Sequence, residues 1–101
     1  MFIIGVPYSN CEYTSVLPCT SEPEAVAIAC GAKLGGSECL VFMQDCGLLS
    51  ALNTFIGLSD TYKIKLNVTI KFVETPEHHK KTCEMARIVY DTFRSNRKDI
   101  Q

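Results

Sequence analysis

With 101 residues, 47% of them hydrophobic, the chain has room for one domain with a modest core and none for a second. Its 10 Lys and Arg against 11 Asp and Glu leave a net charge of -1, so no overall positive field draws it to nucleic acid or to an anionic membrane. Basic residues gather only at His78-His79-Lys80-Lys81 and over 94–98, runs of the kind that form solvated helix faces or tails.

Residues 2–6 read as a short apolar strand, Pro7-Tyr8-Ser9-Asn10 as a turn, and 14–19 as a second strand. Ser21 is a helix N-cap with Pro23 near the first helical position and Glu24 three residues on, an N-terminal box that launches a helix over 24–34. Gly35-Gly36 ends it. The run Cys39-Leu40-Val41-Phe42-Met43 leaves no polar face for water, which predicts a buried strand over 38–43. Asp45 is placed to cap a following helix over 47–58, whose Leu48, Leu49, Leu52, Phe55 and Ile56 recur at helical spacing.

Alternation over 65–73 puts Leu66, Val68, Ile70 and Phe72 on one side and Lys65, Asn67, Thr69 and Lys71 on the other, a strand with one solvated face. Glu74-Thr75-Pro76 leads into a last helix, 77–93, read with Met85, Ile88, Val89 and Thr92 inward, and the polar tail 94–101 is expected to fray. Strand and helix alternate from residue 14 onward, which with right-handed crossovers gives a small, mostly parallel open α/β sheet flanked by helices. The first link breaks the pattern. It is too short for the dozen or more residues of a helical crossover, so the first strand is expected either antiparallel at an edge or outside the sheet.

Membrane and metal roles find little support. Met1 to Val6 is too short for a signal segment, lacks a basic flank and meets Pro7 at once. The six cysteines include three, Cys30, Cys39 and Cys46, in or beside apolar regular segments, where a thiol packs as a small hydrophobe; a reduced, cytoplasmic protein is expected. No pair stands at CxxC spacing, and the adjacent His78 and His79 cannot point from one helix face into one site, so no metal centre is expected.

The stretch 22–53 concentrates the chemistry. A carboxylate pair, Glu22 and Glu24, precedes a small-residue helix; then come a strand, Gln44-Asp45-Cys46-Gly47, and a second helix toward Asn53. An open α/β sheet presents polar groups to a ligand in this way at its strand ends. Bland alternatives stand beside each residue. A glutamate next to an N-cap is favoured by the helix dipole, Asp45 serves as a plain cap, Cys46 is either a serine-like neighbour or a thiol activated by a helix N-terminus, and His78 suits a first-turn surface position.

Several spaced segments together resemble the pyrimidine-binding domain of thiamine diphosphate enzymes, most closely the phosphonopyruvate and sulfopyruvate decarboxylases. Gly5-Val6-Pro7-Tyr8-Ser9 is similar to that family's opening Gly-Val-Pro-x-Ser, and 22–31 resembles its Glu-Gly-x-Ala-Val-x-x-Ala-x-Gly element. Met43-Gln44-Asp45-Cys46-Gly47-Leu48 with Asn53 resembles Met-Gln-Asn-Ser-Gly-Leu followed by Asn, and Pro76-Glu77-His78-His79-Lys80 resembles Pro-Gln-His-x-Lys. Matches in one order over most of the chain are more specific than any one of them.

The resemblance implies a truncated form of a doubly wound domain, with thiamine diphosphate lying against a second domain that holds diphosphate and magnesium. It carries the cofactor-activating carboxylate over to Glu22, whose acid would hydrogen-bond the aminopyrimidine ring and promote proton removal from the thiazolium carbon. Gln44, Asp45, Cys46 and Gly47 would lie at the cofactor, and His78 and Asn53 toward the substrate, a small 2-oxo acid.

Departures are as informative. The helix between the opening turn and the second strand is missing, the Arg-Gly-rich loop after the strand at 65–73 is shortened, and no Gly-Asp-Gly with a later Asn-Asn occurs. Magnesium and diphosphate ligands would therefore come from a separate β-type subunit, in a homo- or hetero-oligomer. The rival expectation is a non-catalytic α/β binding module that kept the scaffold and exposes a sheet edge.

Overall fold

The computed structural model describes residues 1–8, 11–13, 16–72 and 80–95. Strands β1 (Phe2–Gly5), β2 (Val16–Pro18), β3 (Cys39–Gln44) and β4 (Asn67–Lys71) alternate with helices α1 (Glu22–Leu34), α2 (Asp45–Thr54) and α3 (Lys80–Ser95). A π-helical segment, Phe55–Asp60, continues α2. The strands form one all-parallel sheet in the order β2-β1-β3-β4, so the fold is the small α/β sheet flanked by helices that the alternation predicts.

β1 corrects the reading of the first link. It lies inside the sheet, parallel to both neighbours, with Ile3 opposite Val16 on one side and Leu40 on the other. β2 is described over Val16–Pro18; residues 14 and 15 of the expected strand lie outside the described residues. β1 and β2 are only 4 and 3 residues long, so the return from one to the other covers roughly 10–13 Å at about 3.3 Å per residue, a distance for which a short link suffices.

Side-chain alternation sorts the sheet into two faces. Ile4, Val41, Met43, Val68 and Ile70 point to one face and form a buried cluster with Ala25, Val26, Ala29 and Cys30 of α1, Leu48 and Ala51 of α2, and Tyr90 of α3. Alanines let α1 approach closely. The opposite face carries Ile3, Leu40, Asn67 and Thr69, all half-buried, and Phe42, which is sealed. Tyr13 stacks on the Phe42 ring at 4.9 Å between centroids, and Tyr8 meets its edge at 5.9 Å. The link after β1 therefore crosses this face, while α1 and α2 cover the other, as right-handed crossovers in opposite directions require. Gly5 permits the close approach, since a Cβ there would sit 2.6 Å from the Phe42 carbonyl oxygen.

Helix boundaries follow from caps. Ser21 Oγ accepts from Glu24 N at 3.4 Å, and the Glu24 carboxylate accepts from the Thr20 amide and hydroxyl at 3.1 and 3.2 Å. α1 ends at Gly35, followed by Gly36 at φ 89, a left-handed conformation that glycine adopts without strain. Asp45 is the first residue of α2 instead of its cap, and the cap position falls to Gln44, whose side chain makes no capping bond. The π-helical segment is closed by Ser59, which donates through Oγ to the Ile64 carbonyl at 2.6 Å and accepts the Ile64 amide at its own carbonyl at 2.8 Å.

α3 is turned from its expected phase. Cys83, Ala86 and Tyr90 face inward, while Met85 and Ile88 are 45% and 59% exposed and Thr92 is also outside. Two apolar stripes at helical spacing share this helix, and the aromatic contacts decide between them: Tyr90 meets Phe72 at 4.8 Å and Phe93 meets Phe55 at 5.6 Å. The expected start of α3 at Glu77 and the end of the tail lie outside the described residues. β4 keeps its expected faces, with Val68 and Ile70 buried and Lys71 exposed. Among the described residues no helix is long and apolar enough to cross a membrane.

Candidate functional site

The chain leaves the carboxyl end of β1 toward one face of the sheet and the carboxyl end of β3 toward the other. Such a reversal opens a crevice between adjacent strands, where ligands of open α/β sheets bind. The N-terminus of α1, which follows β2, and that of α2, which follows β3, meet at this end of the sheet.

Glu22, the first residue of α1, and Gly47, in the first turn of α2, are in direct contact. A Cβ built on Gly47 would lie 2.5 Å from Glu22 Cγ, 2.8 Å from Cδ and 2.9 Å from Oε2. Gly47 is therefore the residue that makes room for the Glu22 side chain. The carboxylate is half-buried, lies at the positive end of α2 and accepts no hydrogen bond from a described residue. Glu24, the other member of the acidic pair, is engaged with Thr20 at the helix start.

Asp45 lies deeper, only 3% exposed. Its Oδ1 accepts the Cys46 backbone amide at 2.9 Å and faces the Cys83 thiol of α3 at 3.6 Å. Cys46 is half-buried. Burial pushes its thiol pKa up, and the Asp45 and Glu22 carboxylates add to this; the amides of Cys46 and Gly47 pull the other way and are outweighed. An N-terminal thiol activated by its helix is thus not what this site contains. The Cys83 thiol is raised by burial, then by the Asp45 charge and its hydrogen bonds to Asp45 and Cys46.

Glu22, Asp45, Cys46 and Gly47 thus form one group, with Gln44 next to it in the chain at the end of β3. Asn53 is exposed near the far end of α2, roughly 12 Å along the axis from Asp45 at 1.5 Å per residue, and does not join them. His78 lies outside the described residues. Cys83 joins the group unannounced by the sequence; its one signal is a cysteine seven positions before Tyr90 on the inward face of α3. The Tyr8 and Tyr13 cover over Phe42 also went unread, although two tyrosines in a link too short for a helix are a cue. Among the described residues no group of three or more His, Cys, Asp or Glu could hold a metal ion. No disulfide joins the cysteines: Cys19, Cys30, Cys39 and Cys83 are buried, and Cys11 and Cys46 half-buried.

No protein-family model matches the chain. Over 54 residues it is 35% identical to the sulfopyruvate decarboxylase subunit alpha of Methanococcus maripaludis, a stretch that makes up 54% of this chain and 32% of the relative. The chain thus spans about a third of the length of the curated relative it matches.

Proposed function

We propose that this chain is an α-type, pyrimidine-binding subunit of a thiamine diphosphate-dependent 2-oxo acid decarboxylase that works with a separate diphosphate-binding β-type subunit. The observation that carries the reading is the half-buried Glu22 carboxylate, set against Gly47 at the N-terminus of α2 and unbonded among the described residues. The partial likeness to a decarboxylase subunit alpha supports it from an independent direction. The residues present suit the ring end of the cofactor: a carboxyl group that can hydrogen-bond a ring nitrogen, and a glycine that keeps the approach open. They do not suit its diphosphate end, for which neither a metal-ligand group among the described residues nor a Gly-Asp-Gly segment is present.

Bound thiamine diphosphate supplies a carbon nucleophile and an electron sink for loss of carbon dioxide from a 2-oxo acid. This chain's part is positional and protic. The Glu22 carboxyl holds a proton at the ring nitrogen and orients the ring, and the α2 N-terminus fixes Glu22. Gln44, Asp45 and Cys46 line the approach, and the β-type subunit brings magnesium and the diphosphate ligands. A 2-oxo acid with an anionic tail, of the sulfopyruvate or phosphonopyruvate kind, is the substrate class, with His78 toward it. Asn53 is left out because of its place on α2.

The test is decarboxylation by the chain paired with a β-type subunit. Glu22→Gln keeps the shape but not the acid and should lower kcat by roughly 10²- to 10⁴-fold with assembly intact. Full activity in that variant would remove Glu22 from the chemistry. A second reading, a non-catalytic interaction module, draws on the sheet face that no helix of the described residues covers; retention of a protein partner with no decarboxylation by the assembly would favour it.

A further inference from the structure

Asp45 is flanked by two thiol-bearing residues from different helices. Its Oδ1 takes the Cys46 amide at 2.9 Å and the Cys83 thiol at 3.6 Å, so one oxygen gathers the start of α2 and the first described turns of α3. Cys46 also lies close enough to Cys83 to help hold its thiol pKa up, after burial and Asp45. Cys46 reaches the surface in part, whereas Cys83 is 8% exposed. A partly exposed thiol near a sheltered one gives a slowly oxidised sulfur a second cysteine on which to close. Cys19 faces the Glu24 carboxylate, and Cys39 the Glu38 and Lys33 pair.

We propose that Cys46 and Cys83 are a reversible oxidation site, closing to a disulfide that ties α3 to the N-terminus of α2. The oxidant is a hydroperoxide. The Cys46 sulfur, after losing its proton to solvent, attacks one peroxide oxygen; the O–O bond breaks, Cys46 becomes a sulfenic acid, and the departing hydroxide takes up a proton to leave as water. Cys83 sulfur then attacks Cys46 sulfur, the S–O bond breaks, and the hydroxyl leaves with the Cys83 proton as a second water. Two thiols and one hydrogen peroxide thus give one disulfide and two waters, and a dithiol reductant reverses it. The thiols resist ionisation, because burial and the carboxylates of Asp45 and Glu22 oppose it, so the reaction is slow beside that of an activated thiol.

The consequence is mechanical. Closing the bridge adds a covalent tie between α2 and α3 beside the Cys83–Asp45 hydrogen bond. This holds whether or not Glu22 acts on a cofactor, and its test is independent of turnover. The folded chain is treated with hydrogen peroxide, remaining thiols are alkylated under denaturing conditions, and peptides are mapped by mass spectrometry without reductant. The expected result is loss of two of the six thiols, a Cys46–Cys83 cross-linked peptide lighter by two hydrogens, and recovery of both thiols with dithiothreitol. Cys83→Ser should leave Cys46 to proceed to sulfinic acid with no internal disulfide, and Cys46→Ser should leave Cys83 unoxidised. Cross-links between other cysteines, or Cys46 sulfinic acid in the unaltered chain with Cys83 untouched, would overturn the assignment, and the wild-type map decides this even if a variant fails to fold.

Discussion

The two faces of this sheet are built to different standards. On the helix side Ile4, Val41 and Val68 lie side by side in register with no exposure, under three helices. On the other side Ile3, Leu40, Asn67 and Thr69 remain half-open, and Phe42 is sealed, with Tyr8 and Tyr13 of the link after β1 against its ring. The same strands therefore support a close-packed core in one direction and a thin aromatic cover in the other. Crossover handedness assigns which is which: the connection that returns against the main direction of winding lands alone on its face, and here that connection is short.

Truncation of the core should show the contrast most strongly. Phe55→Ala removes a fully buried ring that also meets Phe93 and should cost about 3–5 kcal/mol, whereas Leu40→Ala on the open face should cost about 1–2 kcal/mol. Urea unfolding of the two variants measures both; equal costs would mean that the open face is covered in solution. Gly5→Ala comes next. Its Cβ would press on the Phe42 carbonyl oxygen and ring, so the link and its tyrosines must shift, at a cost of about 1–3 kcal/mol with the helix side unchanged. An unaltered unfolding midpoint would show that the aromatic cover is loose.

The smallest effect is a titration. Burial and the Glu12 carboxylate, which accepts a hydrogen bond from the Tyr8 hydroxyl at 3.3 Å, push the Tyr8 pKa from 10.0 to about 12. The folded chain thus holds this phenol neutral after the unfolded chain has ionised it. Its contribution to stability is complete below pH 10 and is lost as the pH rises toward 12. Ultraviolet titration should find a late tyrosine that Tyr8→Phe removes, and ordinary ionisation of all four tyrosines would mean that Tyr8 is not under this cover.

What could be read from sequence divides along the same line. β3 announced itself by an unbroken apolar run, β4 by alternation and α1 by Ser21 with Glu24, because each signal is local and each element packs on the helix side. The place of β1 was illegible, since a residue count for the link says nothing of how short the strands at its ends are. The phase of α3 was illegible for another reason: two stripes satisfied one periodicity, and distant Phe72 and Phe55 chose between them. At the site, resemblance could place Glu22 and Gly47 in the same neighbourhood, but their contact joins two helices across β3 and exists only in the folded chain. Asn53 is the reverse case, since two turns of helix carry it away from residues that it follows closely in sequence.

The order β2-β1-β3-β4 has a kinetic consequence. The strand that precedes all the others in the chain is interior, and its longer ladder, Phe2 with Cys39 through Gly5 with Phe42, closes only when β3 arrives after the whole of α1. Until then β1 has the three-residue β2 as its single neighbour, too little to hold it. Folding should therefore wait for a long-range pairing, with α1, whose caps are local, free to form before β3 pairs with β1.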